Sequence, residues 1–102
     1  MSKPLFLHIS LFDKILFSRH LSIMIKTGMP LVDSLKLLKR QTRSRSFSYI
    51  LEQLINGAES GQFLSVSLGQ FRRVFGDLFI NIVHIGETGG ILADNLEHLS
   101  IE

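Results

Sequence analysis

The chain has 102 residues, 45% of them apolar, enough for one hydrophobic core and a single domain. Cysteine is absent, which excludes disulfide frameworks and Cys-based zinc sites, and the four histidines (His8, His20, His84, His98) lie too far apart for a metal-ligand motif. A net charge of +2 hides a basic half, with nine of eleven Lys/Arg in residues 1–45, and an acidic half, with seven of nine acids in residues 46–102; the halves can complement each other within the fold, guide docking or attract anionic lipid.

Residues 1–10 read as an N-terminal segment, with Leu5, Phe6 and Leu7 offering apolar area, ahead of one helical domain over 11–102. The apolar stretch from Pro4 to Phe17 is broken by His8, Ser10, Asp13 and Lys14. It is therefore neither a membrane span nor a signal peptide, and the chain is expected to be soluble as it stands. A first helix is predicted over 11–27. Phe17, Leu21, Met24, Ile25 and Gly28 mark its core face, and Phe12, Leu16 and Ile23 form a second apolar stripe on the opposite side. Two stripes mean either a central position in a bundle or one face kept for a partner. Gly28 suits the residue after the helix end, and Pro30 the first turn of a second helix over 30–42, marked by Leu31, Leu35 and Leu38.

A third helix over 46–60 shows Phe47, Ile50, Leu51, Leu54, Ile55 and Ala58 at helical spacing, closed by Gly61. Leu64, Leu68 and Phe71 give a short fourth helix over 64–71. Phe75, Leu78, Phe79, Ile82, Val83 and Gly86 form the stripe of a fifth, assigned to 77–87. Gly89-Gly90 separates it from a sixth over 91–100, carrying Leu92, Leu96 and Leu99. No segment alternates as a strand would, so the expected fold is all-α, a compact six-helix bundle with short connections.

Catalytic constellations are missing. There is no phosphate loop and no Gly-x-Ser-x-Gly, and the carboxylates are dispersed. No catalytic, cofactor-binding or metal site is expected, and the chain is not read as an enzyme. Glu87 stands apart, because a carboxylate near a helix C-terminus meets like partial charge and calls for a compensating partner. The simplest is the backbone N–H groups of the turn leading into the sixth helix; a cation or a partner's basic residue is the alternative. Lys36, Lys39, Arg40, Arg43 and Arg45 cluster, but a charge of +2 and the lack of a recognition helix argue against nucleic acid.

The segments Phe17-Ser18-Arg19-His20-Leu21 and Gly28-Met29-Pro30-Leu31 resemble the opening of the cytoplasmic domain in the inner-membrane platform proteins (F family) of type II secretion and type IV pilus assembly. The family's middle signature is similar to Gly61-Gln62-Phe63-Leu64-Ser65-Val66-Ser67-Leu68. Its closing signature is similar to Phe75-Gly76 and Gly86-Glu87-Thr88-Gly89-Gly90-Ile91-Leu92. Phe63 and Val66 stand where the family often has a Ser-x-x-Glu capping box, so the fourth helix should start with a poorer cap. Gly76 and Gly89 replace Pro and Ser.

The resemblance implies a non-catalytic scaffold on the cytoplasmic face of the inner membrane, here the first cytoplasmic domain of a longer polytopic protein. Its implied partners are a secretion or pilus assembly ATPase, other components of the machine, and further copies of itself in a homo-oligomer, a dimer or a higher assembly. Free-standing adaptor and DNA-binding helical modules remain the alternative readings. Phe12, Leu16 and Ile23 are the interface candidates.

Overall fold

The computed structural model describes residues 6–101; Leu5, with the rest of residues 1–5, and Glu102 lie outside them. Ser10 opens α1 (Leu11–Lys26) with a capping box: its Oγ accepts from the Asp13 N–H at 3.0 Å, and Asp13 Oδ2 accepts from the Ser10 N–H at 3.3 Å. The helix closes at Gly28, whose φ of +95° lets Met29 N–H reach back to Met24 C=O at 3.0 Å. Beyond its chain neighbours nothing lies within 4 Å of a Cβ built at Gly28, so backbone conformation alone demands glycine there.

Pro30 immediately precedes α2 (Leu31–Gln41), and its C=O accepts the first helical bond, from Ser34 N–H. Ser44 Oγ caps α3 (Arg45–Glu59) at the Phe47 N–H, 3.1 Å away. The fourth segment runs further than its sequence pattern indicated. Helix α4 (Leu64–Leu68) continues through a 3-10 turn (Gly69–Phe71) into a one-turn α5 (Arg72–Phe75), so Phe75 ends this run instead of opening the next helix. After Gly76 come α6 (Asp77–Gly89) and α7 (Leu92–Ile101). Among the described residues there is no strand, and the six expected helices are all present.

The main packing partners form a closed ring: α1 against α2, α2 against α3, α3 against α4, α4 against α6, α6 against α7, and α7 against α1. Ring closure places Phe17, Leu21, Leu35, Ile50, Leu51, Leu54, Leu64, Leu68, Val83 and Leu96 in one core. Phe17 is its aromatic hub, with ring centroids 5.8 Å from Phe47, 5.8 Å from Phe75 and 6.4 Å from Phe79. Ile9, from the N-terminal segment, is also buried here.

Two assignments along the stripes change. Leu78 is 73% exposed, because α6 faces the core through Ile80, Val83 and Gly86, and Leu78 lies about 140° around the helix from Val83. On α1 the buried face is Phe17, Ser18, Leu21 and Ser22, whereas Met24 and Ile25 are half-buried and Gly28 is exposed. Ser22 joins α1 to α7, its Oγ donating to Ala93 C=O at 2.6 Å, and Ser18 Oγ satisfies itself on Lys14 C=O within α1.

Candidate docking site

The turn between α6 and α7 and the entry to α4 are joined by one side chain. Glu87, in the last turn of α6, accepts the N–H of Ser65 through Oε1 at 2.9 Å and the N–H of Leu64 through Oε2. These are the first amides of α4, whose preceding residue, Phe63, supplies no side-chain cap. The expected weakness of that cap is real, and Glu87 supplies the missing acceptor from another helix. The turn into α7, where sequence reasoning placed its partners, is satisfied independently by Ile91 N–H on Gly86 C=O at 2.9 Å. The charge is unfavourable for the end of α6 but favourable for the start of α4, which explains an acid at this place. Next to it, Ser65 Oγ lies 3.3 Å from His84 Nδ1, and His84 meets the Phe63 ring edge-on.

The remaining signature residues hold this arrangement. Leu64 and Leu68 fill the core under α4, as Leu21 does under α1. Gly86 is buried where α6 crosses α7; a Cβ there would stand 2.9 Å from Leu92 Cα and 3.2 Å from Asn95 Cβ. Asn95 Nδ2 donates to Ile82 C=O across the same crossing at 2.9 Å. Gly90 closes α6 at φ +73°, and Gly61 closes α3 with Gln62 N–H on Gly57 C=O. Gly57 itself carried no sequence flag, yet its Cβ would lie 3.2 Å from Ser67 Cβ, so α3 and α4 meet through it. Its place at the i+3 position after Leu54 was the available signal.

The three interface candidates are not equivalent. Phe12 and Ile23 are exposed on α1, at 66% and 51%. Leu16 is half-buried in a cleft against α2 and α3, lined by His20, Leu38, Gln41 and Phe47. Arg19, exposed between Leu16 and Ile23, borders a second depression with Ile23, Lys26, Glu97 and Ile101. The hydrogen bond between Lys26 and Glu97 raises the lysine pKa above its ordinary value and holds the carboxyl below the usual range. A third groove, beside Glu87, is lined by Ile25, Phe63, Ile91 and Asp94. Phe63 and Ile91 are both exposed there.

No group of three or more His, Asp or Glu among the described residues could hold a metal ion, and both Glu87 oxygens are engaged by backbone amides. No helix among them is long and apolar enough to cross a membrane.

The fold defines an all-helical domain. The chain belongs to the family described as type II secretion system (T2SS), protein F, which matches residues 17–102. It is 38% identical over 88 residues to the type IV pilus assembly protein PilC of Thermus thermophilus, covering 86% of this chain and 21% of that protein. It is 34% identical over 88 residues to the type II secretion system protein F of Vibrio cholerae, covering 86% and 22% respectively. The PilC of Myxococcus xanthus is 33% identical over 88 residues, with 86% of this chain and 21% of that protein covered. The chain thus spans about a fifth of the length of these relatives. It is a domain of a type II secretion and type IV pilus platform protein.

Proposed function

We propose that this chain is the non-catalytic docking domain through which such a platform protein couples a cytoplasmic assembly ATPase to pilus or pseudopilus growth. The observation carrying this reading is the family match across residues 17–102. A rigid ring of helices with exposed apolar side chains transmits force and binds partners without chemistry of its own. The domain sits at the cytoplasmic face of the inner membrane and works beside a second copy.

The test is sedimentation of the purified chain with the assembly ATPase encoded in the same genome. A complex is expected, with no ATP hydrolysis by the chain alone. Failure to form one at micromolar concentrations, together with tight salt-sensitive binding to duplex DNA, would replace this reading with a nucleic-acid module.

Self-association is assigned to the outer face of α1. Ile23→Glu, at a half-exposed position, is expected to shift the monomer–dimer balance toward monomer without loss of helix content. Leu16→Glu, placed in the cleft, is expected to destabilise the fold. An unchanged balance in folded Ile23→Glu would move the contact off α1.

A further inference from the structure

Several cations of this domain are paired with carboxylates: Lys26 with Asp94 and Glu97, Lys36 with Glu59, Lys39 with Glu52, and Arg72 with Asp77. The three lysines join the basic half of the chain to the acidic half. Among the described residues, Arg19, Arg40, Arg43, Arg45 and Arg73 make no ion pair, and all five are exposed. Arg43, Arg45 and Arg73 converge on one end of the bundle. Arg43 lies in the link between α2 and α3, and Arg45 is the first residue of α3. Ser46, next in sequence, clamps the N-terminal segment: its hydroxyl donates to Phe6 C=O at 3.2 Å and accepts from His8 N–H at 3.1 Å. Phe6 and Leu7 in turn line a depression with Phe71, Arg72, Arg73 and Val74. Tyr49, one turn after Arg45, meets Phe71 edge-on at 6.3 Å, so the two arginine groups flank the same segment.

Phe6 lies between them and is 80% exposed. Leu11, 68% exposed, follows at the start of α1. The nearby carboxylates are occupied: Asp77 by Arg72, and Asp13 by the Ser10 amide in the α1 capping box. Unpaired arginines around a protruding phenyl ring need two things from an occupant. It must supply negative charge, and an apolar layer must lie just beneath that charge. A nucleic acid duplex, with its bases stacked inside, offers the first only. An anionic lipid surface offers both, since phosphates sit above the acyl boundary into which an aromatic side chain inserts.

We propose that this end of the domain seats on an anionic membrane surface, with Phe6 entering the headgroup layer and Arg43, Arg45 and Arg73 on lipid phosphates. This contact stands on the geometry of Phe6 and its arginines and is independent of ATPase docking.

The experiment is co-sedimentation of the 102-residue chain with vesicles of phosphatidylcholine alone or mixed equally with phosphatidylglycerol. Binding is expected only to the mixed vesicles and should weaken as salt rises. Arg45→Ala with Arg73→Ala should weaken it by about fivefold per arginine, whereas lysine at both positions should retain it. The chain has no tryptophan, so Phe6→Trp provides a single indole reporter. Its emission should shift to the blue with anionic vesicles and stay unshifted with neutral ones. Helix content by dichroism confirms that each variant is folded. Equal binding to neutral vesicles, no binding to either, tighter binding to duplex DNA at the same salt, or unaffected binding by the folded double alanine variant would each overturn the proposal.

Discussion

Phe17→Ala is expected to lower the free energy of unfolding by about 3–5 kcal/mol. The ring is fully buried and touches Phe47 of α3, Phe75 of α5 and Phe79 of α6, so its removal opens a cavity at the junction of four helices. The neighbours cannot collapse into that space together, because each ring is anchored to a different helix. Edge-on and tilted ring contacts add about 0.5–1.5 kcal/mol per pair beyond burial, and three such pairs are lost. Leu54→Ala, at an equally buried aliphatic position, should cost about 2–5 kcal/mol. A domain of this size has roughly 5–15 kcal/mol in hand, so Phe17→Ala should sit near the edge of folding at ordinary temperature. Urea unfolding checks this: the midpoint should fall while the slope stays constant. A loss below about 1 kcal/mol would mean that the aromatic cluster is not the packed centre of the ring.

Much of this architecture was legible because helix periodicity and helix ends are local properties. Phe47, Ile50, Leu51, Leu54 and Ile55 are buried as their spacing required, and Gly28, Gly61 and Gly90 close helices with positive φ. The errors arose where tertiary contact overrode local pattern. Ser18 and Ser22 belong to neither apolar stripe of α1, but a serine that bonds a carbonyl of its own helix or of α7 is a small packing residue. Leu78 matched the α6 stripe by spacing, yet the placement of α4 and α7 selects Ile80 instead. Gly57 looked like any helix-interior glycine, and only the approach of Ser67 gives it a reason. Of the candidate interface, one dimension was readable: α1 does carry apolar residues outside the core. Whether each faced solvent depended on α2, which covers Leu16 and leaves Phe12 and Ile23 open.

Glu87→Ala is expected to cost about 3–4 kcal/mol. Leu64 and Ser65 are buried, at 2% and 6% exposure, and their amides belong to the first turn of α4, where no intrahelical acceptor exists. Hydrogen bonds to a charged acceptor contribute about 1.5–3 kcal/mol each, and two are lost. The side chain is only half-buried, so water recovers part of the loss and places the total near the low end. Glu87→Gln retains one acceptor oxygen but presents an NH2 group to the second amide, and should cost roughly half as much. Rescue separates a brace on α4 from a role confined to the α6–α7 turn. Phe63→Ser places a hydroxyl at the position just before α4, so in the Glu87→Ala background it should restore about 1 kcal/mol. The same substitution beside an intact Glu87 should add less, because the amides are already engaged. The difference is the coupling energy measured by the double-mutant cycle. Thermal melting of all four proteins supplies the numbers, and adding calcium to the wild type should leave its midpoint unchanged. Additive effects of the two substitutions would sever Glu87 from α4, and a calcium-dependent rise would mean that the carboxylate leaves those amides for a cation.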